Sequence, residues 1–215
     1  MDADFWHQRW EAERIGFHEG APNPLLGANF QKLALKPDSR VFVPLCGKTL
    51  NIAWLLSRRY RVVGVELSAL AIGQLFEELG IEPSITGAGG LNRYSGPDID
   101  IFVGDFFGLT SELLGPVDAI FDRAALVALP EEMRSRYAKH LAEITGDAPQ
   151  LLVTYEYDQQ LMDGPPFSVT GDEVRRHYGD RYDISLLVGS EAANDPRRPF
   201  TAKEKCWLLS RPTAN

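Results

Sequence analysis

Apolar and polar positions alternate along this chain with two different periods. Residues 41–45, 62–66, 99–104, 117–122 and 151–156 are short, nearly continuous apolar runs, the pattern of strands buried on both faces. Between them, apolar residues recur at helical spacing. Leu50, Ala53, Trp54 and Ser57 mark one face, and Ile72, Leu75, Phe76 and Leu79 mark another, preceded by Ser68 as an N-cap and closed by Gly80. Pro130, Glu131 and Glu132 open a further helix as its first residue and first-turn acids, with Met133, Tyr137, Leu141 and Ile144 on its buried side. Gly164-Pro165-Pro166-Phe167 forces a loop, and Thr170 to Glu173 fits a capping box for a short helix. Residues 182–188 and 205–210 read as two strands joined by a polar loop, a hairpin at the sheet edge. The sum is an α/β fold, Rossmann-like and doubly wound. A mostly parallel seven-stranded sheet is expected, covered on both faces, joined by right-handed crossovers and ending in a C-terminal antiparallel hairpin. No repeat, low-complexity tract or domain boundary interrupts residues 1–215, so a single domain is expected.

Composition narrows the function classes. A chain with 44% hydrophobic and 24% charged residues is ordinary for a globular protein. No apolar stretch approaches the length needed to cross a bilayer, and the opening Met-Asp-Ala-Asp-Phe-Trp lacks the cationic and apolar regions of a signal peptide. A cytoplasmic protein without a membrane partner is expected. The net charge of −8 argues against nucleic acid, whose phosphates demand surplus Lys and Arg. Cys46 and Cys206 lie far apart, and neither they nor His7, His18, His140 and His177 show metal-ligand spacing. Reduced thiols and no metal are expected.

In an open α/β sheet, ligands sit outside the carboxyl ends of the strands. The residues there are Leu45 to Lys48 after the first strand, Glu66 at the end of the second, Asp105-Phe106 after the third and Asp122-Arg123 after the fourth. Gly47 lets a ligand approach the backbone. Glu66, nineteen residues later, is placed to accept hydrogen bonds from a ribose diol. Asp105 could accept from an adenine amino group and Phe106 could cover the base. Each has a plainer alternative: Glu66 a solvated strand-end acid, Gly47 a turn glycine, Asp105 and Asp122 helix caps, Arg123 half of a surface ion pair. Cys46 has no histidine near it in sequence to make it a nucleophile. The G-x-G-x-x-G fingerprint of dinucleotide sites is absent, and Lys48 lacks the upstream glycine of a P-loop. Those absences favour an adenosine cofactor without a pyrophosphate, S-adenosylmethionine.

Taken together, Trp6-x-x-x-Trp10, Phe17-His18, Pro44-Leu45-Cys46-Gly47-Lys48, Val63-Gly64-Val65-Glu66-Leu67-Ser68, Asp122-Arg123-Ala124-Ala125-Leu126-Val127-Ala128-Leu129-Pro130 and Gly164-Pro165-Pro166-Phe167 resemble the bacterial thiopurine S-methyltransferases. The match is colinear over residues 6–167 and loose over 183–202, where that family shapes part of its acceptor pocket. The terminal antiparallel pair also resembles the arrangement of class I S-adenosylmethionine-dependent methyltransferases. The resemblance implies a monomeric enzyme that moves a methyl group from S-adenosylmethionine to the sulfur of an aromatic or heterocyclic thiol. Trp10, Leu45, Glu66 and Arg123 would bind the cofactor, with Trp6, Gly47, Asp105 and Phe106 adding to the site. Phe17 would line the acceptor side, and residues 1–30 would fold over the ligands as a lid. No catalytic base is assigned. Arg123, Arg197 and Arg198 are candidate cations that would favour a thiolate. Other acceptors on the same scaffold would be selenium or tellurium oxyanions, halides or small thiols. A non-catalytic S-adenosylmethionine binder and a reductase using NAD are the readings from other classes.

Overall fold

The computed structural model describes residues 3–191 and 202–212; Arg197 and Arg198 lie outside the described residues. In chain order the strands are β1 (Arg40–Val43), β2 (Arg61–Glu66), β3 (Ser84–Ala88), β4 (Leu91–Gly96), β5 (Ile99–Val103), β6 (Ala119–Arg123), β7 (Gln150–Glu156), β8 (Asp183–Glu191) and β9 (Lys203–Ser210). They form one sheet in the order β3-β4-β5-β2-β1-β6-β7-β9-β8. The central five run parallel, with Phe42 beside Val63 and Ile120, and Glu66 beside Val103. An antiparallel pair closes each side.

The helices are α1 (Ala3–Glu11), α2 (Pro24–Asn29), α3 (Leu50–Ser57), α4 (Ala69–Leu79), α5 (Ser111–Leu114), α6 (Glu131–Thr145) and α7 (Gly171–Tyr178). Side-chain caps set most of their starts. The Ser68 hydroxyl accepts from the Ala71 amide at 3.2 Å, and Thr170 accepts from Glu173 at 3.2 Å, satisfying amides the helices leave unpaired. None of these helices is long and apolar enough to cross a membrane.

Because both faces of the parallel strands are covered, their apolar runs feed two cores. On one face Phe42, Val63, Phe102 and Leu152 meet Tyr137 and Leu141 of α6 and Val174 of α7. On the other, Val41, Val62, Ile101 and Phe121 meet Leu26 of α2, Ile52 and Leu55 of α3, and Ile72 and Phe76 of α4.

Two expectations need correction. The sheet has nine strands rather than seven: residues 84–96 form the β3–β4 hairpin, turned at Gly89 and Gly90 with φ of 58° and 90°. Most of β3 is exposed, so no buried face imposed an alternating pattern that the sequence could carry. Pro130 is the N-cap of α6 rather than its first residue, while Glu131 and Glu132 occupy the first turn as expected.

Candidate active site

The carboxyl ends of β1, β2, β5 and β6 open into a cavity of about 920 Å³. After β1 the chain turns sharply. Leu45 has a φ of 44° and Gly47 a φ of 51°, left-handed conformations that cost a side chain like that of Leu45 energy. Glu66 fixes this turn. Its Oε2 accepts from the Gly47 amide at 2.8 Å and its Oε1 from the Ser68 amide at 3.0 Å. At 7% exposure, burial raises the Glu66 carboxyl above the usual range, and the amides of Ser68 and Gly47 pull it back only in part. A carboxylate has about four acceptor positions, so two amides leave it able to accept more from the cavity. Gly47 is also constrained from the other side, because a Cβ there would lie 3.0 Å from the Trp10 ring. Beneath the turn, Cys46 is buried against Gly64, where a Cβ would stand 3.0 Å from the cysteine sulfur. Burial, with the charge of Glu66, pushes the Cys46 thiol well up.

A second wall comes from the N-terminal segment. Trp6, Trp10 and Phe17 line the cavity, with Phe17 edge-on to Trp6 at 5.7 Å and to Trp10 at 5.4 Å between ring centres. Arg123, at the end of β6, holds this segment. Its guanidinium donates to the Phe17 carbonyl at 3.2 Å, to the Glu19 carboxylate, and to the Tyr155 hydroxyl at 3.3 Å. The Arg123 side chain is only 10% exposed. His18 faces the same space, and burial together with Lys48 holds its imidazole below the usual range.

The remaining wall is less polar. Asp105 lines the cavity, but its Oδ1 also accepts from the Phe107 amide at 3.0 Å and caps the turn, as the plainer alternative had it. Phe106 lines the cavity while packing on Tyr137 at 4.9 Å. Val127, Leu129, Met133, Pro165 and Pro166 continue this wall, pinned by the Phe167 amide donating to the Val127 carbonyl at 2.6 Å. Asp122 does not line the cavity. It is fully buried, accepting from the Tyr137 hydroxyl at 2.7 Å and the Leu126 amide at 3.2 Å, and burial raises its carboxyl to about 6.

The structure therefore gathers Trp6, Trp10, Phe17, Leu45, Gly47, Glu66, Asp105, Phe106 and Arg123 around one cavity. Sequence reasoning missed Glu19, Met133, Arg136 and Tyr155, which line it as well. Tyr155 carried a usable signal, since it stands near the carboxyl end of β7. The other three carried none beyond proximity to named motifs.

Solved methyltransferases have the same architecture. The chain is similar to a methyltransferase dependent on S-adenosylmethionine from Anabaena variabilis, with a TM-score of 0.65 at 14% identity, covering 98% of this chain and 95% of that one. It is similar also to the 1,6-didemethyltoxoflavin-N1-methyltransferase of Burkholderia thailandensis, solved with 1,6-didemethyltoxoflavin and S-adenosylhomocysteine, with a TM-score of 0.65 at 14% identity over 97% and 87% of the two chains. Such distant likeness establishes the fold, that of the class I S-adenosylmethionine-dependent methyltransferases. Sequence goes further. The sequence model of the family described as thiopurine S-methyltransferase matches residues 1–211, and the chain belongs to that family. The thiopurine S-methyltransferase of Xanthobacter autotrophicus is 52% identical over 212 residues, 98% of this chain and 100% of the relative. That of Acinetobacter baylyi is 48% identical over 214 residues, 98% and 99% of the two. This protein is thus an enzyme that uses S-adenosylmethionine as methyl donor.

Proposed function

We propose that the methyl acceptor is the sulfur of an aromatic or heterocyclic thiol such as a thiopurine. The observation that carries this reading is the apolar wall of Phe17, Val127, Leu129, Met133 and the Pro165-Pro166 turn, set in the same cavity as Glu66 and Arg123. At about 920 Å³ the cavity lies at the upper end of the range for small-molecule sites, room for a nucleoside cofactor and a planar acceptor together. The residues present suit that cofactor: Glu66 retains acceptor capacity for a ribose diol, the Gly47 turn admits a ligand close to the backbone, and Arg123 has a buried Nε with no partner among the described residues.

The cofactor, when bound, supplies a methyl group on a sulfonium sulfur, a centre that already carries its leaving group. This chain's part is to position and to exclude water. Glu66 and the Leu45–Gly47 backbone would hold the nucleoside and its tail, with Trp6, Trp10, Asp105 and Phe106 completing the cofactor wall. Phe17 and the apolar wall would hold the acceptor. Alignment of this kind supplies on the order of 7–11 kcal/mol at best. A dry, apolar wall favours a reaction in which opposite charges cancel. An aromatic thiol is acidic enough to need no dedicated base, and Arg123 would assist from the edge by favouring the thiolate.

In this reading the enzyme is a cytoplasmic monomer whose residues 1–30 act as a lid; the unpaired thiols of Cys46 and Cys206 suit a reducing compartment. The test is methyl transfer from labelled cofactor across aromatic thiols, small thiols, halides and selenium and tellurium oxyanions. The highest kcat/KM is expected on an aromatic thiol; an oxyanion or halide turned over faster would overturn the assignment. Arg123→Lys keeps charge but loses the planar fork, and kcat/KM should fall by about 1–2 kcal/mol in barrier terms. Steady-state constants equal to the parent's would remove Arg123 from the site.

A further inference from the structure

Arg123 and Glu19 form an ion pair that is incomplete on both sides. A guanidinium carries five donor hydrogens in a fixed fork. Those of Arg123 reach the Phe17 carbonyl, the Tyr155 hydroxyl and Oε1 of Glu19, while its Nε is buried with no partner among the described residues. Glu19 repeats the situation with opposite polarity: Oε1 meets Arg123, and Oε2 is buried with no partner among the described residues. Buried polar atoms are nearly always hydrogen-bonded, and an unmade bond is costly on either partner. One orphan donor and one orphan acceptor here belong to the same ion pair, and both residues line the same cavity.

A ligand that offers an acceptor and a donor side by side satisfies both. The α-amino acid end of S-adenosylmethionine does so, with a carboxylate for Arg123 and an ammonium for Glu19. Charge balance agrees. A lone buried arginine selects an anion, whereas a paired cation and anion match a group of no net charge and leave neither ion uncompensated. We propose that Glu19 is the receptor for the cofactor's α-ammonium, so that the Arg123–Glu19 pair reads the zwitterion as Glu66 reads the sugar. This rests on the reading that Arg123 meets the amino-acid end of the cofactor.

The test is calorimetric and needs no turnover. Parent and Glu19→Gln are titrated with S-adenosylhomocysteine and with its analogue bearing hydrogen in place of the α-amino group. The parent should bind the deaminated analogue on the order of tenfold or more weaker than S-adenosylhomocysteine, the range for a charged hydrogen bond. Glu19→Gln should lose a similar factor for S-adenosylhomocysteine, little or nothing for the analogue, and so cease to distinguish the two. If Glu19→Gln binds S-adenosylhomocysteine as well as the parent or better, Glu19 only occupies Arg123 until ligand displaces it, and the proposal is overturned while the cofactor site stands. Equal weakening for both ligands would mean a purely structural role and would overturn it too. If the parent binds neither ligand, the wider assignment of the cavity falls with it.

Discussion

The two polar walls of the cavity are anchored in different parts of the fold. The strand-end wall is built into the sheet: the Glu66 carboxylate at the end of β2 accepts from the Gly47 and Ser68 amides, and the turn that carries Gly47 follows β1, the parallel neighbour of β2 in the middle of the sheet. The N-terminal wall lies outside the sheet: Trp6 and Trp10 meet Phe17 edge-on, and the Arg123 guanidinium grips the Phe17 carbonyl and the Glu19 carboxylate. Removing a contact from the first should damage both fold and binding. Removing one from the second should release a segment and leave the sheet intact, which is what a lid requires.

The sharpest way to break that contrast is Glu66→Ala. It orphans two buried amides at about 1–3 kcal/mol each, and it should weaken S-adenosylhomocysteine binding by about 1–3 kcal/mol. Urea unfolding and calorimetry read the two losses, and unchanged cofactor affinity would take Glu66 out of the site. Asp122 should give a comparable effect confined to stability. Its folded pKa of about 6 lies above the ordinary 3.8, so the protonated form is favoured by folding. Its stabilising share is complete below about 3.8 and is lost as pH rises through about 6. Relative to the parent, Asp122→Asn should therefore gain on the order of 2–3 kcal/mol between pH 4 and pH 7. A difference between the two that stays flat with pH would contradict the burial argument. The smallest effect is expected from Phe17→Ala, which removes two edge-on ring pairs. Amide exchange in α1 should quicken while global stability changes by less than about 1 kcal/mol. A global loss as large as that of Glu66→Ala would erase the distinction between the walls.

What the sequence revealed follows the same division. The parallel strands were legible because burial on both faces writes unbroken apolar runs, and the strand-end rule then located Leu45, Gly47, Glu66, Asp105, Phe106 and Arg123 without a structure. The β3–β4 hairpin was not, because β3 is mostly exposed and β4 is partly buried without alternation, so neither left a period. Helices α2 and α5 were missed because six and four residues are too few to show a helical repeat, although Asn23 before Pro24 carried a capping signal. Trp6, Trp10 and Phe17 were reached only through resemblance. Glu19, Met133 and Arg136 depend on which way a side chain turns after folding, a property that local sequence does not encode. Asp122 is not the helix cap the plainer alternative made of it, since Ala125 holds the N-cap position of the turn at Leu126–Ala128 and Asp122 only accepts from the Leu126 amide; its burial beneath Tyr137 comes from the packing of α6 on β6, a long-range effect.

The turn that borders the cavity carries a cysteine, Cys46. Pressed against Gly64 and facing the negative field of Glu66, that sulfur keeps its proton at neutral pH. Thiol–disulfide exchange runs through the thiolate. The packing thus keeps this side chain a poor nucleophile toward disulfides that reach the cavity, and disfavours a mixed disulfide beside Glu66.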